Sequence, residues 1–348
     1  MGSLLADTAP ARDAEERPQE QPRPPVSLAQ MASPPQPPAP GVSAEAGGRP
    51  ASLYYHVARQ EVARILEAVS AGKRFDVGRL QGVAMGLVKA MAGGDGLLVQ
   101  ALAGGETHVD LASHLVNVAI FAVKIGQGIG CGEAELRRLA LAGCLHDLGM
   151  VSIPRRILEK PGSLSPEELA LVRQHPETGS RILQALGAEF DWLATVALQE
   201  QEREDGSGYP RGLRGDQIHD YAKIIGLAAT YDAIIRLRPY RKKRWVPCDA
   251  VKEIITNSRR VFPDRILKGL IQGLSTFPVG SLVLLNTKEV ACVVRVSQIL
   301  PLRPVIEILT GPQRERLPSP RRIDLAQNPL LYITATVAHD LAGSPRST

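Results

Sequence analysis

The chain is short of aromatic residues, at 4% of its 348 positions, so aliphatic side chains must build most of its core. It has four cysteines, Cys131, Cys144, Cys248 and Cys292, and no CxxC pair, which excludes a zinc knuckle and a dithiol redox motif. Free thiols in a reducing compartment are the simpler reading. No apolar run approaches the ~18 residues needed to span a bilayer, so no membrane span is expected. The N-terminus lacks the basic, apolar and small-residue order of a secretory signal, and a cytoplasmic location is the expectation. The net charge of +5 is spread over many charged residues, a balance that permits a nucleic-acid polymer as partner without indicating one.

What is present is a well-packed interior with a tail attached. The apolar fraction of 44% is that of a globular domain. Eleven of the 27 prolines fall before residue 51, most densely in MASPPQPPAPG. Such a segment buries too little apolar surface to offset its ordering entropy, so residues 1–50 read as a disordered tail. From Leu53 the periodicity is helical, through Val57, Val62, Ile65, Leu66 and Val69. A second helix runs from Val77 to Met91, ended by GGDG, and residues 51–105 form an N-terminal helical segment. Further helices are expected from His108 to Gln127, from Glu133 to Leu148 and over residues 220–236. Ser165-Pro166-Glu167-Glu168 is a capping box with proline at the first helical position, opening a helix that continues through His175. After Phe277 the pattern changes to short β-branched runs at 279–285, 290–296, 305–309 and 331–337, with a turn at Asn286-Thr287-Lys288. The fold class is therefore mainly α, with a small β module at 277–340 and a frayed end at 341–348.

The chemistry-bearing residues lie in the helical part. His146-Asp147 closes an apolar helix, and alone it reads as a satisfied core pair. Asp110 and His114 lie four apart and share a helix face, and His175 precedes a proline. Three imidazoles and two carboxylates from separate helices are the donors that bind iron, manganese or zinc, if the helices converge. Beyond them, EREDGSGYPRGLRG is dense in residues that shape a backbone. The run Arg238-Pro239-Tyr240-Arg241-Lys242-Lys243-Arg244 is either a solvated surface or, beside a metal, a phosphate clamp.

In this order, SHLVNVAIFAV, LAGCLHDLG, IPRRILEKPGSLSPEELALVRQHPETG, EREDGSGYPRGLRGDQI and RLRPYRK resemble the HD-GYP family of HD-domain metal-dependent phosphohydrolases. The likeness spans roughly residues 106–250, and the FPVGSLVLL module resembles an extension common after such domains. The resemblance implies an HD-domain helical bundle over 106–276 that holds iron or manganese and hydrolyses cyclic di-GMP by metal-assisted attack of water on phosphorus. By position it implies His114, His146 and Asp147 as ligands of one metal, with Asp147 bridging to a second that His175 serves. Asp110 stands where some members place a ligand for a third ion. Arg238, Arg241 and Tyr209 correspond to substrate-binding positions, and Gly208-Tyr209-Pro210 to the loop of the family name.

The departures fall on the metal shell. The usual His-His before the loop is Glu200-Gln201, the aspartate of the later helix is Ala229, and the lysine that ends the HD motif is Met150. Asp232 matches an aspartate the family also has, with a structural role. Glu200 remains a carboxylate donor, whereas Gln201 is a weak one and Ala229 none. The resemblance with these losses implies at most one ion, and a degenerate member that binds cyclic di-GMP, or a signalling protein through the GYP-loop face, with little or no hydrolysis. The alternatives are a phosphodiesterase working through Glu200 and a reduced metal set, and a scaffold that binds no nucleotide.

Overall fold

A computed structural model of the chain describes residues 50–103, 110–160, 162–236, 247–274, 277, 279–297, 300, 302–313 and 315–337. The chain divides into two units, Met1–Gly47 and Gly48–Thr348, and every described residue belongs to the second. The proline-rich segment, the C-terminal end expected to fray, Arg238 and Arg241 lie outside the described residues.

Among the described residues the helices are α1 (Ala51–Ser70), α2 (Gly78–Ala92), α3 (Gly96–Ala103), α4 (Leu111–Gly128), α5 (Glu133–Leu145) and α6 (Arg155–Leu158). They continue with α7 (Pro166–Val172), α8 (His175–Gln184), α9 (Asp191–Gln199), α10 (Asp220–Ile235), α11 (Pro247–Asn257) and α12 (Asp264–Leu274). The mainly helical reading of the sequence is thus what folds. α4 is the central element. It packs against α1, α5, α10 and α12, and its side chains from Leu115 to Gly126 are buried all round. By length and composition α4 could cross a membrane, but most of it is buried inside the bundle, which is why so largely apolar a helix forms here.

The helix expected to run from Ser165 through His175 is two helices. Ser165 caps α7 as anticipated, accepting from the Glu168 amide while Glu168 accepts from the Ser165 amide. α7 stops at Val172, and His175 opens α8 with Pro176 in its first turn. Proline has no amide hydrogen and restricts the residue before it, so it sits better at a helix start than inside one.

The β module is one antiparallel sheet in the order β4-β3-β2-β1-β5, made of β1 (Leu282–Leu285), β2 (Val290–Arg295), β3 (Val305–Thr310), β4 (Arg316–Asp324) and β5 (Ile333–Val337). Val283, Leu285, Ala291, Val293, Ile306 and Ile308 alternate inward and form a core of their own with Phe277 and Leu325. β4 had no apolar alternation to reveal it. Its sequence RLPSPRRID carries two prolines, which a sheet tolerates at an edge, and β4 is at the edge.

Candidate metal centre

Five side chains from four regions of the bundle converge. His114 lies in the first turns of α4, and His146 caps the C-terminus of α5. Asp147 follows as the chain tightens into a 3-10 turn at Leu148–Ser152, His175 begins α8, and Glu200 caps the C-terminus of α9. Two groups of donor atoms result, His114–His146–Asp147 and Asp147–His175–Glu200, each with its atoms within 4.8 Å of one another.

Asp147 joins the groups by turning one oxygen to each. Its Oδ2 lies 3.6 Å from His114 Nε2 and 3.7 Å from His146 Nε2. Its Oδ1 lies 3.1 Å from His175 Nε2. Glu200 turns inward, with Oε1 3.2 Å from the same His175 nitrogen. Each imidazole is oriented from behind. His146 Nδ1 is 2.9 Å from the Gly143 carbonyl, His175 Nδ1 is 2.7 Å from the Val172 carbonyl, and His114 Nδ1 is 2.7 Å from Asp232 Oδ2. Carbonyl and carboxylate oxygens only accept, so Nδ1 carries the hydrogen in all three rings and Nε2 faces the centre. Metal-binding histidines are typically held this way.

Glycine sets the spacing of the second group. A Cβ on Gly149 would lie 2.0 Å from the His175 carbonyl oxygen and 2.7 Å from the Gly179 amide nitrogen. Only a bare backbone lets α8 approach the 3-10 turn closely enough to bring His175 to Asp147.

These donors fit a divalent cation. Glu200 Oε2 is buried and has no hydrogen-bond partner, and buried Asp147 Oδ1 faces only the His175 nitrogen at 3.1 Å, a costly state for carboxylate oxygens unless a cation meets them. Protons supply the positive charge without a metal. Burial disfavours the His175 cation, but Asp147 and Glu200 outweigh it and raise the ring to about 11. Burial likewise opposes protonation of His114, and Asp147 and Asp232 raise it to about 9. Asp147 is itself held well below the usual carboxylate range, burial being overcome by His146, His175 and His114.

The metal-free protein should therefore gain stability from both histidines in full below about pH 6.5 and lose it as pH rises through about 9 and toward 11. The contribution of Asp147 runs the other way, and is lost as pH falls below its ordinary 3.8 through its depressed folded value. Metal binding displaces the histidine protons, so metal affinity should rise with pH over the range in which the stability of the metal-free protein falls. Urea midpoints and metal titrations across pH on chelator-treated protein check both trends.

Other anticipated site residues are placed differently. Asp110 belongs to neither group. Its carboxylate caps α4 by accepting from the Ser113 amide at 2.6 Å and pairs with Arg59. Asp232, for which the resemblance implied a structural role, is fully buried and orients His114. It also pairs with Arg236 Nε at 2.5 Å.

The GYP loop lies against the second group. The Tyr209 and His175 rings meet edge to face with centroids 6.3 Å apart, and the Arg173 guanidinium lies 5.3 Å from the centre of the Tyr209 ring. Burial, then the charges of Glu200 and Asp147, push the phenol above its ordinary pKa, so Tyr209 stays a neutral O–H donor. The Tyr209–Pro210 peptide is cis. Gly208 has no room for a side chain, since a Cβ would lie 2.5 Å from Gln201 O, Glu202 Cα and Arg203 N.

Sequence reasoning missed the residue that holds this loop. Glu202 is buried, and its two oxygens accept from the amides of Arg211 at 2.7 Å and Leu213 at 2.9 Å. Its place in Glu200-Gln201-Glu202, directly before the loop, was the available signal. Glu202→Ala strands both amides and should cost about 1–3 kcal/mol. The loss is measurable by chemical denaturation, with proteolysis expected to move into 203–214.

Comparison with known proteins agrees with this architecture. The HD domain profile matches residues 104–265, and the profile of a KOW domain associated with HD domains matches 282–340. A cyclic di-GMP phosphodiesterase of Pseudomonas aeruginosa is 31% identical over 210 residues, covering 60% of this chain and 50% of that protein. The cyclic di-GMP phosphodiesterase response regulator RpfG of Xanthomonas campestris is 35% identical over 150 residues, covering 43% of this chain and 39% of that protein. The chain thus spans half or less of the length of these curated relatives. Among solved structures, an HD-GYP-type protein of Bdellovibrio bacteriovorus matches with a TM-score of 0.53 at 20% identity, over 63% of this chain and 70% of that one, a likeness of fold. Residues 104–265 are thus an HD domain, as the motifs implied, and its curated relatives include cyclic di-GMP phosphodiesterases.

Proposed function

We propose that this chain is a metal-holding, cyclic di-GMP-binding effector of bacterial signalling in which hydrolysis is weak or absent. The observation that carries the reading is the thin donor set. Three side chains serve each group, Asp147 is counted in both, and Ala229 brings no donor from α10. Imidazole and carboxylate donors without a thiolate suit iron or manganese. When bound, such an ion supplies Lewis acidity to a phosphoryl oxygen. The chain's own contribution is to hold the nucleotide. Tyr209 offers a neutral hydroxyl beside His175, Arg173 adds positive charge at the loop, and Arg238 and Arg241 stand where the resemblance implies phosphate contacts. The free thiols of Cys131, Cys144 and Cys292 suit a cytoplasmic setting.

A second reading, a phosphodiesterase with a reduced metal shell, is favoured by one observation. Glu200 turns into the second group, where the resemblance led one to expect histidine, and Asp147 faces both groups. One experiment separates the two. Full-length protein is assayed for bound iron and manganese, for cyclic di-GMP binding and for turnover. Nucleotide binding without turnover, weakened by Arg238→Ala, supports the effector. Two ions per chain with turnover that His146→Ala abolishes establishes the phosphodiesterase. Absence of nucleotide binding sinks both and leaves a scaffold, whose partner at the GYP-loop face pull-down would seek.

A further inference from the structure

The N-terminal helices are wired to the metal centre by polar contacts. Tyr55 of α1 donates its hydroxyl hydrogen to Asn117 Oδ1 at 2.7 Å. Asn117, on α4 and 2% exposed, donates from Nδ2 to Asp232 Oδ1 at 3.3 Å and to the Ala101 carbonyl of α3 at 3.2 Å. Asp232 accepts from His114 Nδ1 on its other oxygen. One turn further along α1, Arg59 donates to Ser113 Oγ at 3.0 Å and pairs with Asp110. The residues that α1 grips, Asp110, Ser113 and Asn117, bracket His114.

Each link is determined by chemistry. A buried carboxylate can accept only from the donors that surround it, and Asp232 has His114, Asn117 and Arg236. The amide of Asn117 has its oxygen occupied by Tyr55, which orients its NH2 toward Asp232 and Ala101. Without the Tyr55 hydroxyl the amide loses the contact that sets its orientation, and Asp232 loses a fixed donor.

We infer that Tyr55, acting through Asn117 and Asp232, is a positioning residue for the metal ligand His114, so that a displacement of α1 is read at the metal centre as weaker binding. The inference rests on reading the five-residue cluster as a metal site. It makes residues 51–103 the element through which an upstream event would change metal occupancy.

The test uses full-length protein titrated with Co²⁺, followed by its visible absorption. Partners that orient a ligand typically contribute ~10–100-fold to metal affinity. Asn117→Leu, close in volume but without hydrogen bonds, should weaken Co²⁺ binding about tenfold, and Tyr55→Phe roughly threefold, the smaller effect belonging to the link one step more remote. Both should shift the ligand-field band. Val62→Ala removes buried methyl groups from α1 and touches none of the chain of contacts. It should lower stability and leave Co²⁺ affinity and spectrum unchanged.

A second readout is independent of metal. The His114 ring ¹⁵N resonances of chelator-treated protein should move in Tyr55→Phe and not in Val62→Ala. Wild-type affinity, spectrum and ring resonances in Tyr55→Phe and Asn117→Leu would overturn the inference. So would equal effects from Val62→Ala, which would reduce α1 to a structural support. Wild-type protein that takes up no Co²⁺ would instead refute the metal reading, and the ring resonances would then decide the contact chain by themselves.

Discussion

Asp147→Asn is expected to remove the donor shared by both halves of the centre and with it most of the bound metal. The carboxylate turns one oxygen to His114 and His146 and the other to His175, and among the described residues no other side chain belongs to both groups. Losing an orienting partner of a ligand already costs ~10–100-fold in affinity, and losing the ligand itself should exceed the upper end of that range. Asparagine keeps the volume but offers one neutral oxygen and an amide that points two hydrogens at imidazoles or an ion. The metal-free protein should respond as well. With the largest favourable partner gone, His175 should titrate far below about 11 and His114 below about 9. Because imidazole can shed its proton, the stability loss should stay under the ~3–5 kcal/mol of an uncompensated buried charge. Elemental analysis and NMR titration of the two rings measure both effects. Full retention of metal by the variant would mean that the bound metal does not use Asp147. His114→Ala is the informative contrast, since it should spare the Asp147–His175–Glu200 group.

The second large effect is steric. Gly149→Ala places a methyl group 2.0 Å from the His175 carbonyl oxygen, and both sides of that clash are tied to backbone. Overpacking of this kind costs typically about 1–3 kcal/mol and occasionally more, and a clash against main chain belongs at the upper end. The relief open to the fold is for α8 to move away from the 3-10 turn, which carries His175 away from Asp147. The variant should lose the second group and keep His114–His146–Asp147. Gly179→Ala, on the facing surface, meets Gly149 N at 3.2 Å and should be milder. Urea denaturation read beside metal stoichiometry distinguishes these outcomes. Equal behaviour of the two alanine variants would show that the close approach at Gly149 does not control the site.

His114, His146, Asp147 and His175 were legible as donors only together, since His146-Asp147 alone reads as a satisfied core pair and the imidazoles of neighbouring helices tip the balance toward a metal. Glu200 was legible as a donor, but not its direction, which depends on how α9 ends. Asp110 shares a helix face with His114 in sequence, and its place just before α4 lets its carboxylate take up the free Ser113 amide of the first turn. Glu202 was hidden by its neighbours, since its partners are backbone amides that no side-chain pattern announces. β4 was invisible because strand periodicity marks burial, and an edge strand with prolines has little of it.

By itself the sequence determined the helical class, the order of helices around the histidines, the capped start of α7 and the alternating strands of the β module. These follow from side-chain period and backbone preference within a few residues. Only the tertiary structure decided that Asp147 faces two groups, that Glu200 turns inward and that Tyr55 reaches His114 through Asn117 and Asp232. The contacts in that chain join residues 62, 115 and 118 positions apart. No local pattern encodes such separations, because they are set by the packing of α1, α8, α9 and α10 around a helix buried on every face.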